Sequence, residues 1–321
     1  MKFLHIQSLR GIAALMVCIF HLAGHRDEHH SLLQPDDPLL KIASFGPTGV
    51  FVFFVISGFI IPFAMDRAKY TIGDFFSFFK KRLWRLHPPY VLVVLITLGL
   101  ILFNNSTGKT NEELSAGRVI SHFFYLTKVM GWEWFNPIFW TLAIEIQYYL
   151  LLALAFSWFN SELLWKRATF IAVLLCSTYL LKDDRFILFY IGPFVIGFAL
   201  YYFSIKKHHL LECMLYAIGA SINIYLFVGP HWLIAALCAA AFVLWVKETP
   251  RFLHYLGETS YSLYLTHPLF GGLFIYLLLP FATSVMWGYL ILIGAILFSV
   301  LCAHLFYWLI EKRSIEWSRS K

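Results

Sequence analysis

The sequence predicts an all-α, polytopic membrane bundle of about ten spanning helices with both termini cytoplasmic. Three observations carry that prediction. Hydrophobic residues make up 60% of the 321 and charged residues only 13%, whereas a soluble domain carries about 25% charged residues. With a mean hydropathy of +0.71, the apolar excess does not fit inside one soluble core and requires lipid as solvent. The apolar runs are also much longer than the roughly ten-residue alternating strands of a membrane barrel, which makes the spans helical. Finally, 18 of the 25 Lys and Arg fall in the connections on the side shared by the two termini. That asymmetry is the positive-inside pattern.

The spans read in order as 8–24, 47–66, 87–103, 136–157, 168–181, 186–204, 212–228, 231–246, 254–280 and 285–310. The first follows Lys2 and Arg10 as a signal peptide would. No small-x-small cleavage site follows, and polar His25-Arg26-Asp27-Glu28 comes next, so it reads as an uncleaved span. The 66–87 connection is the most basic and holds Phe75-Phe76-Ser77-Phe78-Phe79, the pattern of a surface helix lying on anionic lipid. The fifth, seventh and eighth runs are short. After the tenth comes a basic tail with Lys312, Arg313, Arg319 and Lys321.

No internal repeat, low-complexity tract or long linker interrupts the chain. Residues 1–321 read as a single transmembrane domain without a soluble appendage. The net charge of +7 follows from the topology and calls for no nucleic-acid partner. The five cysteines, Cys18, Cys176, Cys213, Cys238 and Cys302, all sit in apolar runs without CxxC spacing. They read as small buried hydrophobes rather than a disulfide set.

Against this apolar background a few polar residues stand out. Arg10 and His21 bracket an uncharged stretch of the first span. Eleven steps of about 100° put both on one helix face, roughly 16 Å apart along the axis. Ionisable groups in membrane segments are costly, face the protein interior and mark functional sites. The plain alternative is an interfacial anchor and a histidine satisfying a buried partner. Arg82 and Arg85, at i and i+3, share a face beside Lys80 and Lys81, a cluster suited either to phosphate or to simple interfacial anchoring. Glu145, about ten residues into the fourth span, demands a partner or a proton; Tyr148 and Tyr149 follow it on the same face. In the ninth span Ser260, Tyr264 and His267 form a polar stripe that either lines a cavity or glues helices together. His25 to His30 offer metal-ligand types without fixed geometry, and no metal is predicted.

Together these residues resemble the acyltransferase 3 family of membrane O-acyltransferases. The matching runs are Ser8-Leu9-Arg10-Gly11-Ile12-Ala13-Ala14-Leu15 through His21, Gly49-Val50-Phe51-Val52-Phe53-Phe54-Val55-Ile56-Ser57-Gly58-Phe59, Arg82 to Arg85, Trp140 to Glu145, Tyr261 to His267 and Trp308-Leu309-Ile310-Glu311-Lys312. They occur in the family's order over nearly the whole chain.

The resemblance implies a ten-helix bundle that takes an acyl group, usually acetyl, from cytoplasmic acyl-CoA and passes it to a hydroxyl, usually of a sugar or glycan, across the membrane. It further implies an O-acetyltransferase that uses acetyl-CoA, takes part in polysaccharide modification and is a multi-pass protein of the bacterial inner membrane. By the same resemblance Arg10 and His21 match the family's Arg–His pair, Arg82 and Arg85 its arginine pair, and Glu145 its helix-four glutamate. The mechanism expected from these residues has His21 as general base, Glu145 as its carboxylate and Arg10, Arg82 and Arg85 on the donor phosphates. Trp140, near the outer face, is a candidate to stack on a sugar ring, and Tyr264 and His267 are candidates to line the acceptor cavity. An extended pantetheine arm of about 15–20 Å matches the roughly 16 Å from Arg10 to His21. Many relatives carry an outward hydrolase-like domain after the helices. This chain ends soon after Ile310, which implies direct transfer or reliance on another protein. Homo-oligomerisation and the exact acyl group stay open. The competing class is a transporter or flippase for a lipid-linked sugar, which would show inverted repeats and matched broken helices.

Overall fold

The computed structural model describes residues 3–24 and 31–320. Among them the structure is helical, with fourteen α-helices and no strand. In order they are α1 (Leu4–Ala23), α2 (Pro38–Ala43), α3 (Gly49–Arg67), α4 (Phe75–Ser106), α5 (Ala116–Phe123), α6 (Phe139–Phe159) and α7 (Leu164–Leu180). They continue as α8 (Ile191–Tyr201), α9 (Leu210–Phe227), α10 (Pro230–Trp245), α11 (Arg251–Glu258), α12 (Ser260–Leu278), α13 (Val285–Phe306) and α14 (Lys312–Ser320). Single π-turns extend α8 over Tyr202–Lys206 and join α13 to α14 over Tyr307–Glu311.

Ten of these helices coincide with the ten predicted spans. Eight segments are long and apolar enough to cross a membrane. The other two, α7 with 17 residues and α10 with 16, are the short fifth and eighth runs. The chain is therefore a multi-pass, all-α membrane protein. Large apolar side chains such as Leu297, Ile293 and Leu301 on α13 remain exposed on the protein surface, where only lipid can solvate them.

Two local readings change. The aromatic segment 75–79 is not a separate surface helix: it is the first turn and a half of α4, which runs on through Pro88 and Pro89. The ninth run breaks near Thr259, separating the short α11 from α12. Cys18 and Cys213 are buried as expected, but Cys176 and Cys238 are exposed. Helical periodicity puts Cys176 on the outward side of α7 with Val173 and Leu180,. All five thiols are unpaired.

The helices group into two compact units, one made of residues 1–17, 45–79 and 147–258, the other of 18–44, 80–146 and 259–321. The first unit is built on a backbone-to-backbone crossing of α3 and α8. A Cβ on Gly58 would stand 2.3 Å from Phe194 O, and one on Gly197 would stand 2.3 Å from Val55 O. Only glycine allows that approach, the small-residue packing by which membrane helices gain van der Waals contact. Phe54 stacks on Phe194, and Tyr148 stacks on the same ring at 4.3 Å while donating to Ser57 O. The Gly49–Phe59 motif is thereby accounted for as packing.

The same unit docks α11 against α1. A Cβ on Gly257 would overlap Gln7 O, and one on Gly11 would meet Gly257 N at 2.8 Å. Beside this contact Ser8, Thr249 and His254 form a hydrogen-bonded chain, with 2.7 Å at both links. Ser8 and Gly11 thus fix the turn of α1 that carries Arg10. A buried ion pair, Arg167 with Glu212 at 2.8 Å, ties α7 to α9, and Arg167 also donates to Ser161 O.

In the second unit α12 is the buried element, and Ser260, Ser262, Thr266 and His267 have no exposed surface. Its N-terminus is capped from a distance. Glu311, delivered by the π-turn after α13, accepts from Ser262 N–H at 3.1 Å and Ser262 Oγ at 2.5 Å. A carboxylate at the free amides of a helix start satisfies orphan donors and complements the macrodipole.

Candidate active site

The site residues of the second unit come from α1, α4, α6 and α12. His267 lies one turn beyond Leu263 on α12, and its Nδ1 is 3.0 Å from Leu263 O. A carbonyl only accepts, so Nδ1 carries the proton. In the neutral ring Nε2 is then an acceptor. His21 Nδ1 lies 3.1 Å from that Nε2, and the imidazole centroids are 5.1 Å apart. The His21 Nδ1–H therefore donates to His267, and this tautomer puts the basic lone pair of His21 on Nε2. His267 is wholly buried, His21 half-buried.

Tyr264, one turn earlier on α12, ties that helix to α6. Its hydroxyl is 2.8 Å from Thr141 Oγ1 and 3.3 Å from Ile138 O. Thr141 in turn donates to Ile138 O at 3.0 Å. Glu145, one turn further along α6, is half-buried. Trp140 is half-buried in the first turn of α6. Tyr261 donates to Leu86 O on α4 at 2.7 Å.

Arg82 and Arg85 are half-buried on α4, with Lys80 and Lys81 exposed just before them. This cationic turn belongs to the same unit as the histidines. Arg10 lies in the other unit, half-buried on α1. Of the two tyrosines expected on the Glu145 face, Tyr148 packs on α8 and is structural. Gln147, between them and Glu145, accepts from Ile187 N–H and donates to Arg185 O. The His25–His30 segment lies outside the described residues. Among the described residues no group of three or more His, Cys, Asp or Glu is placed to hold a metal.

Sequence reasoning missed His122 altogether. Its Nδ1 donates to Arg118 O at 2.8 Å, and its Nε2 accepts from Phe135 N–H at 2.9 Å. The ring stacks on Phe135 at 3.8 Å, with the Arg118 guanidinium 4.8 Å from the Phe135 centroid. Burial and the neighbouring Arg118 charge hold it below its ordinary value of 6.5. It is the fastening of the Trp132–Trp134 loop. No local sequence pattern signals such a contact, because one of its partners is a backbone amide thirteen residues away.

A family model described as an acyltransferase domain, that of acyltransferase 3, matches residues 4–304. The chain belongs to the acyltransferase 3 family. Similar proteins include ORF330 of Acidianus two-tailed virus, 23% identical over 287 residues that make up 82% of this chain and 81% of that protein. The O-acetyltransferase OatA of Staphylococcus aureus is 27% identical over 161 residues, 46% of this chain but 24% of OatA. The acyltransferase MdmB of Streptomyces mycarofaciens is 29% identical over 154 residues, 45% of this chain and 37% of MdmB. No solved structure matches.

As an acyltransferase 3 protein the chain is an enzyme of the membrane that transfers acyl groups between a donor and an acceptor, which decides against the transporter reading. The acyltransferase motifs also separate by role in the structure. Gly49–Phe59 makes a helix crossing, Ser8 and Gly11 hold a helix pair, and Glu311 caps α12.

Proposed function

We propose that this acyltransferase moves an acyl group, acetyl in the simplest case, from cytoplasmic acyl-CoA to a sugar or glycan hydroxyl at the outer face of a bacterial inner membrane. The observation that carries this reading is the histidine pair. A buried His267 with its own proton committed to Leu263 O holds His21 in the tautomer whose Nε2 can accept a proton.

His21 Nε2 removes the proton of the acceptor hydroxyl as its oxygen attacks the thioester carbonyl. The new C–O bond forms, the C–S bond breaks, and the departing CoA thiolate receives the proton back from the imidazolium. Glu145 supplies the negative potential that favours the transient imidazolium, as the acid does in a triad. An acyl-histidine intermediate would use the same nitrogen as nucleophile. Arg82 and Arg85 bind the CoA phosphates, which cannot enter lipid, in the bidentate fashion guanidinium allows. Trp140, Tyr264 and His267 border the acceptor end. The positive-inside distribution of Lys and Arg supports putting the arginines on the cytoplasmic side.

The decisive experiment measures acetyl transfer from labelled acetyl-CoA in membranes carrying either the wild type or His21→Ala at equal protein level. Transfer should fall at least about a hundredfold, the least a general base contributes. Near-normal transfer by that variant would end the proposal.

A further inference from the structure

We propose that the C-terminal helix α14 is a positioning element for the donor: Ser314 supplies the hydrogen bond that Pro88 and Pro89 withhold from the Arg82–Arg85 turn. The inference rests on reading Arg82 and Arg85 as ligands of the donor phosphates. In a helix the amide of residue i donates to the carbonyl of residue i−4, and proline has no amide hydrogen. Pro88 and Pro89 therefore deprive the carbonyls of Trp84 and Arg85, inside α4, of their helical donors.

The structure fills that gap from 230 residues away in sequence. Ser314 Oγ donates to Trp84 O at 2.5 Å, with Arg85 O as a second acceptor at 3.4 Å. The next carbonyl, Leu86 O, accepts from Tyr261. Three consecutive carbonyls of the turn are thus held by hydroxyls of other helices. A second contact fixes α14 there, since Trp317 meets Trp84 edge-on with centroids 6.1 Å apart. A third anchors its start, where Glu311 is buried against the N-terminus of α12. Ser314 and Trp317 lie at i and i+3, on one face of α14.

A proline-interrupted helix would otherwise kink or fray at this point, and the two guanidinium groups would lose their common direction. With α14 in place the turn is pre-formed, so a polyanionic head group does not have to order it on binding. The C-terminal helix would therefore set donor affinity while staying out of the acyl transfer itself.

Purified full-length protein tests this with two readouts, hydrogen exchange of the 80–87 amides and direct binding of CoA. In Ser314→Ala the amides should exchange faster, and the Kd for CoA should rise about three- to tenfold, the range one hydrogen bond covers. The KM for acetyl-CoA should rise with it at nearly constant kcat. Ser314→Thr, which keeps the hydroxyl, should restore both, and Trp317→Ala should move both in the same direction as Ser314→Ala. Unchanged exchange in Ser314→Ala overturns the clamp whatever the donor does. Faster exchange with unchanged CoA binding, where Arg85→Ala does weaken CoA, overturns the link to the donor. Arg85→Ala without effect on CoA removes the donor assignment, and the inference falls with it.

Discussion

His21 Nδ1 lies 3.1 Å from His267 Nε2, across 246 residues of sequence. Since the other nitrogen of His267 is bound to Leu263 O, the direction of the hydrogen bond between the rings is fixed. His267 is a relay of backbone geometry: α12 orients it, and it orients His21.

Replacing His267 should therefore act on turnover. His267→Phe keeps the volume but removes the acceptor, and kcat should fall about 10- to 100-fold, the cost typical of losing an orienting partner. His267→Gln, whose amide oxygen can accept from His21, should recover much of the loss. Steady-state kinetics of the two variants at matched protein level checks this. Equal losses in both would assign His267 to packing.

Removing a donor-side cation should leave chemistry intact. Arg85→Ala is expected to raise the acetyl-CoA concentration for half-maximal rate about tenfold, consistent with one lost charge-assisted contact, with kcat within about twofold. A donor titration at saturating acceptor measures it, and an effect confined to acceptor affinity would contradict the assignment. Wild-type protein should also gain thermal stability from CoA, by RT ln(1 + [L]/Kd).

The crossing of α3 and α8 should tolerate no side chain. A Cβ at Gly197 would lie 2.3 Å from Val55 O and 2.7 Å from Gly58 Cα, all backbone atoms that cannot rotate away. Gly197→Leu should lose at least about 1–3 kcal/mol, the overpacking cost. The loss would appear as a lower unfolding temperature in detergent or failure to accumulate, and full stability would place the crossing elsewhere.

Acid should loosen the His122 fastening. Its pKa is held below 6.5 in the fold, so the unfolded chain binds the proton first. The stability it contributes is present above pH 6.5 and is lost as pH falls below that value. Protonation would also turn Nε2 into a donor facing Phe135 N–H. Unfolding temperatures from pH 7.5 to 5 should decline, and the decline should be shallower in His122→Gln. Identical slopes would exclude His122 as the titrating group.

Most of the architecture was legible in the sequence because its determinants are local. A span of apolar residues must be a helix in lipid, whatever its neighbours, and Lys and Arg mark its ends. The cost of a buried ionisable group likewise singled out Arg10, His21 and Glu145 without any knowledge of packing. Tyr148 shares the helical face of Glu145 by periodicity, yet its hydroxyl is taken up by Ser57 O. Periodicity gives a face but not what that face meets.

The sequence by itself determined the all-α, multi-pass membrane class, the motif order and the residues whose burial needs a reason. Only the tertiary structure decided that His267 sets the tautomer of His21 and that Tyr264 ties α12 to α6. It alone decided that Ser314 satisfies carbonyls orphaned by Pro88 and Pro89. The physical reason is one of range. Helix formation in a membrane is settled within a few residues by hydrogen bonding and hydropathy. The pairing of polar groups between helices depends on where backbones can approach, and contacts such as Gly197 against Val55 set that across the fold.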